Sequence, residues 1–255
     1  MRRVFLYGDV ANNFESTSTP FVEASGGRSV KIALLLAGGS DWMRCVPRYR
    51  DPWTRLGATE VVPIAPIGDS IELGAEAVSC LRHCSGIFIG GGDTRKYDEI
   101  YACMEVSAII QELYQSGIPF GGVSAGALIS TQVCTIGGSK VTTPTNEYLI
   151  RAKLYFDPAK NGDVQLTVGK GLGLLKDCIV EVHFSGVGGF PRLVQAMELT
   201  RSTYGFGIDE PICLEIRDGT FVKVHGRGRA YALKRLDSLR FETQVLEPGD
   251  EFEMA

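Results

Sequence analysis

No apolar run in this chain approaches the length of a bilayer span, and no stretch of lysine and arginine forms a basic tract. The first absence argues against a membrane helix. The second, with a net charge of −4, argues against a nucleic-acid surface. The apolar run near the N-terminus stops at Gly8, too short for the core of a secretory leader. Paired cysteines are also missing: the seven present are scattered, with no C-x-x-C. Cys80 and Cys84 have helical spacing, but with His83 between them they read as a surface turn rather than a zinc site. The expectation is a reduced, cytoplasmic protein with no metal and no cofactor. Histidine is scarce, with three in the chain, and this shortens any search for a general base.

What is present has the balance of a globular protein. The chain has 255 residues, 44% hydrophobic and 22% charged. A domain of this size buries roughly 70–75% of its extended surface. Short apolar runs at Val4–Tyr7, Lys31–Leu36, Glu60–Ile64, Gly86–Ile89 and Ile118–Val123 read as buried strands. Helix-like spacing occupies Asp41–Leu56, Ile71–His83 and Thr94–Ser116 between them. This alternation predicts an α/β fold with a mostly parallel sheet flanked by helices, and ligands bound at the strands' carboxyl ends. Residues 132–170 have weak periodicity and read as loops. Cys178–Phe184 then reads as a strand and Arg192–Leu199 as a helix. Ile212–Ile216, Thr220–Val224 and Ala230–Leu233 follow as short strands, with Arg217-Asp-Gly-Thr220 as a hairpin turn in a C-terminal β-hairpin region. No repeat or linker interrupts residues 1–255, which read as a single α/β hydrolytic domain.

The most informative segment is Ile118-Pro-Phe-Gly-Gly-Val-Ser-Ala-Gly-Ala-Leu-Ile129. Its Gly122-Val-Ser-Ala-Gly126 fits the G-x-S-x-G nucleophile elbow. A serine at the tip of a strained strand-to-helix turn needs neighbours without bulk, which the two glycines and Ala125 supply. The following helix is expected to aid an anion near the hydroxyl. A serine nucleophile needs a base. His83 lies on a polar helix end and His225 in a Gly/Arg-rich hairpin, whereas His183 ends an apolar strand at the edge where Ser124 falls. An oxyanion needs backbone donors. Ala125 offers one, and Gly91 and Gly92 of Gly90-Gly-Gly-Asp93 offer others at a helix start. A phosphate-binding turn is the competing reading of those glycines, but G-x-G-x-x-G spacing and a P-loop lysine are lacking.

Four blocks in order carry a resemblance. They are Ile87-Phe-Ile-Gly-Gly-Gly-Asp-Thr94, Gly122-Val-Ser-Ala-Gly-Ala127, Gly171-Leu-Gly-Leu-Leu175 leading to Val182-His-Phe184, and Gly207-Ile-Asp-Glu210. The chain resembles the serine peptidases that include dipeptidase E (the α-aspartyl dipeptidase) and cyanophycinase. The resemblance implies a fold like that of class I glutamine amidotransferases, with Ser124 as nucleophile, His183 as base, and the glycine block and Ala125 as oxyanion hole. It also implies a small peptide or isopeptide substrate, with a homodimer as one compatible assembly. The departures concern substrate. Cyanophycinases have an aspartate–glutamine pair before this histidine and several arginines after it. This chain has Glu181-Val182 before and, of those arginines, only Arg192 after. Losing those forks argues against a carboxylate-rich polymer. Asp93, Thr94, Glu181 and Arg192 are the expected substrate contacts.

The family's acid is expected within about twenty residues after the serine, and the first carboxylate there is Glu147, the preferred choice. Glu181 and Glu210 are the alternatives. An α/β-hydrolase esterase shares the elbow and the residue order, but its late acid and lid are not evident. A glutamine amidotransferase would carry cysteine at the elbow. A binding protein that kept the elbow but lost the acid is the reading from outside the enzymes.

Overall fold

A computed structural model places the chain in two main β-sheets with helices packed against them. The structure describes residues 1–255 apart from 11–12, 28–29, 40, 69, 138–165, 188, 238–239 and 255. β1 (Arg3–Tyr7) leads to α1 (Phe14–Ala24), β2 (Val30–Leu35), α2 (Val46–Arg55) and β3 (Ala58–Ile64). Next come α3 (Ala75–Arg82), β4 (Gly86–Ile89), α4 (Thr94–Tyr101) and α5 (Met104–Gln115). β5 (Phe120–Val123) runs into the one-turn α6 (Ala125–Leu128). A short pair, β6 (Cys134–Gly137) and β7 (Thr167–Gly169), precedes β8 (Cys178–Val182), α7 (Gly189–Thr200) and β9 (Tyr204–Ile208). The chain closes with β10 (Ile212–Arg217), β11 (Phe221–Gly226), β12 (Ala230–Arg235), β13 (Phe241–Leu246) and β14 (Glu251–Glu253).

The larger sheet has the order β14-β11-β10-β1-β5-β4-β2-β3. Its β1, β5, β4, β2 and β3 pair in parallel, while β10, β11 and β14 extend it antiparallel beyond β1. The sheet is therefore parallel over five strands, as the alternation predicts, with a three-stranded antiparallel extension. The central strands are apolar on both faces because helices cover both. β4 shows the division residue by residue. Ile87 and Ile89 join Tyr97, Tyr101 and Ile109 on one face, and Phe88 joins Phe21, Tyr49 and Trp53 on the other. The Phe88 and Trp53 rings lie 4.9 Å apart at their centroids. Burial of such a ring stabilises the fold by about 1.5–3 kcal/mol. β3, at the edge, carries Pro63, whose missing N–H costs least there.

The smaller sheet has the order β13-β12-β9-β8, with β8 and β9 parallel. Val180 and Phe206 from it share a core with Ile89 and Leu214 from the larger sheet. β10 and β11 join through Asp218, Gly219 and Thr220, the first two at positive φ, as a tight hairpin turn requires. The periodicity read as one helix over Thr94–Ser116 is two, α4 and α5, separated at Ala102 and Cys103. α1 escapes sequence reading because its polar, β-branched stretch and internal Pro20 disfavour a helix, yet buried Phe14, Phe21 and Val22 hold it. Among the described residues no helix is long and apolar enough to cross a membrane.

Candidate active site

β5 brings the chain to Ser124 at the carboxyl edge of the parallel strands. Ser124 has φ 52° and ψ −113°, a conformation that costs a serine about 1–3 kcal/mol and needs its surroundings to hold it. Its N–H donates to the Tyr7 carbonyl at 3.0 Å, and its carbonyl accepts from the N–H groups of Ala127 and Leu128. The flanking glycines are steric necessities. A Cβ on Gly122 would lie 2.3 Å from the Gly126 carbonyl oxygen, and one on Gly126 would lie 2.2 Å from that of Ile89. α6 is a single turn, so it offers Ser124 local N–H groups rather than the macrodipole of a long helix.

His183 follows the last residue of β8 and takes φ 53°, which turns its ring toward the larger sheet. Its Nε2 lies 3.0 Å from Ser124 Oγ. The turn behind it is fastened by Asp209, whose carboxylate accepts from the Ser185 N–H at 2.6 Å and the Ser185 hydroxyl at 2.7 Å. On the other side of the ring, Nδ1 hydrogen-bonds Oε1 of Glu210. The parallel pairing of Val182 with Ile208 sets the ends of β8 and β9 side by side, and this brings Glu210 to His183. The two side chains are 27% and 32% exposed. A cleft of about 390 Å³ opens beside them, lined also by Ser185, Asp209, Arg229 and Tyr231.

The other expected residues divide. Ala125, at the start of α6, has an N–H with no acceptor among the described residues. Gly91 lies against Ser124, where an added Cβ would be 3.3 Å from the serine Cβ, but its N–H donates to the Tyr49 hydroxyl. Gly92 keeps its N–H without a partner among the described residues. Asp93 caps α4 by accepting the Arg95 N–H at 3.0 Å, and Thr94 opens that helix. Glu181 and Arg192, expected to touch substrate, are buried against each other. Arg192 Nε donates to Glu181 Oε1 at 2.9 Å, Thr135 donates to the same oxygen at 2.7 Å, and the two side chains are 6% and 2% exposed. A carboxylate with those donors, on the buried strand β8, stays inside the fold. Glu147 lies outside the described residues.

Three contributors lay outside the preferred sequence reading. Glu210, there an alternative acid, is the carboxylate on His183. Asp9 follows β1, and its carboxylate, His183 and Glu210 bring ligand atoms within 4.8 Å of one another, a set that could approach a metal ion. Tyr49 is the third. A strand reading of Tyr204–Ile208 paired with β8 would have pointed to Glu210, but Gly205 and Gly207 hide that strand.

Comparison with known proteins agrees with the resemblance. The profile of peptidase family S51 matches residues 67–226. The chain is 27% identical over 216 residues to a cyanophycinase of Synechococcus elongatus, covering 82% of this chain and 60% of that protein. A cyanophycinase of Trichormus variabilis is 28% identical over 183 residues, covering 71% and 55%. The chain thus spans 60% or less of the length of these curated relatives. Among solved structures, a peptidase from an acI-B1 actinobacterium superposes with a TM-score of 0.68 at 19% identity, covering 100% of this chain and 97% of the other. A putative peptidase E protein from Listeria monocytogenes gives 0.50 at 17% identity, covering 97% and 100%. Those two likenesses speak to the fold, an α/β architecture with a large sheet flanked by helices. With a family profile over most of its length, the chain belongs to peptidase family S51.

Proposed function

We propose that this protein is a serine peptidase of the dipeptidase E and cyanophycinase kind, cleaving a small peptide or isopeptide through an acyl-enzyme on Ser124. The observation that carries the reading is the unbroken line of contacts from Ser124 Oγ to His183 Nε2 and from His183 Nδ1 to Glu210. With Nδ1–H held by the carboxylate, Nε2 is left as the acceptor for the serine proton. Oγ then attacks the scissile carbonyl carbon while His183 takes its proton. As the tetrahedral intermediate collapses, the C–N bond breaks, the imidazolium gives its proton to the departing amine, and the acyl group remains on Oγ. Water, deprotonated by the same imidazole, releases the acid and restores the serine. The N–H groups of Ala125 and Gly92 are the donors for the oxyanion.

Glu210 supports this reading over a binding protein that lost its acid. The strand order around β5, with the nucleophile between strand and helix, supports the further reading of a class I glutamine amidotransferase-like fold. Substrate preference follows from Arg192. Its guanidinium is committed to Glu181, so the forks that would grip a carboxylate-rich polymer are fewer still. A short peptide is the better substrate, and cyanophycin a poor one. A fluorophosphonate probe and a panel of aspartyl and β-aspartyl dipeptides test this. Labelling at Ser124 with dipeptide turnover supports the proposal. Absence of labelling on folded protein overturns it, and efficient release of dipeptide from cyanophycin overturns the substrate preference.

A further inference from the structure

We propose that Tyr49 and Tyr97 are positioning residues that clamp the two peptides flanking Gly91 from opposite faces of the sheet and thereby aim the Gly92 N–H at the oxyanion. The inference rests on the serine-peptidase reading. It assigns to two tyrosines, neither suggested by any motif, the setting of the oxyanion donors.

The clamp is built from two hydrogen bonds of opposite sense. The Gly91 N–H donates to the Tyr49 hydroxyl at 3.2 Å, and the Tyr97 hydroxyl donates to the Gly91 carbonyl at 3.1 Å. Tyr49 stands on α2 in the cluster with Phe88, and Tyr97 on α4 in the cluster with Ile87 and Ile89, so the sheet separates their rings. Both are nearly sealed, at 4% and 2% exposure. Tyr49 is wedged among Phe14, Trp53 and Phe88, with centroids 5.8–6.0 Å away. A hydroxyl on a ring held that way has little freedom to follow the loop, so the loop conforms to the hydroxyl. Burial holds both phenols un-ionised, Tyr49 pushed up to about 12 and Tyr97 raised as well, so each keeps a proton to donate.

The glycines fit this clamp closely. The Tyr97 ring lies directly under Gly92, where an added Cβ would meet Cε2 at 2.9 Å. An added Cβ on Gly90 would lie 3.3 Å from each tyrosine hydroxyl. The Gly91 N–H belongs to the Gly90–Gly91 peptide and the Gly91 carbonyl to the Gly91–Gly92 peptide. The two hydrogen bonds therefore hold the successive peptides on either side of the Gly91 Cα, and the Gly92 N–H, opposite the carbonyl held by Tyr97, is left to face the substrate. The Gly91 carbonyl is likewise kept from the site, where it would repel a developing oxyanion.

The test uses a fluorophosphonate probe on the full chain and its Tyr49→Phe and Tyr97→Phe variants, which keep the rings and remove one hydroxyl each. The rate constant is read per active site from the end-point stoichiometry. The proposal expects each variant to label roughly 10- to 100-fold more slowly while the final labelled fraction stays at the parent level. It also expects the double variant to lose less than the product of the two single effects, because both hydroxyls hold peptides joined at the one Gly91 Cα. Labelling at the parent rate or faster overturns the clamp. A lower end point with an unchanged rate for the labelled fraction also overturns it, since that is the mark of a merely structural role. Failure of the parent to label would instead count against the serine-peptidase reading itself, which separates the two ideas.

Discussion

The Nε hydrogen of Arg192 is donated to Oε1 of Glu181 at 2.9 Å, and neither side chain is more than 6% exposed. Removing the guanidinium would strand a buried carboxylate, which typically costs about 3–5 kcal/mol. Arg192→Ala is expected to lower the urea midpoint accordingly, with lost activity tracking the unfolded fraction. Replacing the pair together, Glu181→Leu with Arg192→Met, should recover much of that stability. A midpoint unchanged in Arg192→Ala, with a raised KM, would return Arg192 to the substrate pocket.

Ser124→Ala should lower turnover on the order of 10⁴-fold or more, as loss of a triad nucleophile does. The backbone at this position gives a second expectation. Because φ is 52°, alanine keeps the strain and glycine relieves it. Ser124→Gly should therefore be more stable than Ser124→Ala by about 1 kcal/mol. Equal unfolding free energies for the two variants would mean that the turn is unstrained.

Glu210→Gln leaves the shape of the His183 contact but removes its charge and can hold the wrong tautomer. A fall in kcat of roughly 10³- to 10⁴-fold is expected, with little change in thermal midpoint. Glu147→Gln should stay within a few-fold of the parent. The reverse ranking would assign the acid to Glu147.

Glu215 sets a limit on acid stability. Burial alone would raise its carboxyl, but hydrogen bonds from His225 and Arg217 outweigh it and hold it at about 2, below the ordinary 4.5. A folded value below the unfolded one stabilises the protein above the unfolded value and is lost as pH falls through the folded one. Urea unfolding free energy should thus decline from about pH 4.5 toward about pH 2, with a contribution on the order of 3 kcal/mol from this group. Glu215→Gln should flatten that part of the profile. An unchanged slope would show that other carboxylates govern it.

The elbow was legible because its chemistry is local. Gly122, Ser124 and Gly126 lie within five consecutive residues, and the steric reason for them is visible in their spacing alone. His183 was legible through scarcity and through the apolar strand it ends. Glu210 ranked below Glu147 because the contact depends on two strands lying side by side, and Tyr204-Gly-Phe-Gly-Ile208 does not advertise itself as a strand. Its Gly207 is there for another reason: an added Cβ would meet the Phe184 ring at 2.6 Å. Arg192 drew a ligand reading because an arginine near the proposed base invites one, and only packing reveals its contact with Glu181. Tyr49 and Tyr97 fall within stretches whose spacing reads as helix, and the contacts of their hydroxyls depend on a loop that meets them only in three dimensions.

Ser124 follows β5 of the larger sheet, whereas His183 follows β8 of the smaller one and Glu210 lies on the link from β9 of the smaller sheet to β10 of the larger. The reactive group is therefore a seam rather than a property of either layer. A slip of a single ångström between the layers would part Oγ from Nε2 while every strand kept its own ladder intact. Chemical competence is then a stricter gauge of correct assembly than secondary-structure content, and gentle denaturation should silence the serine while the circular dichroism of the protein still looks native.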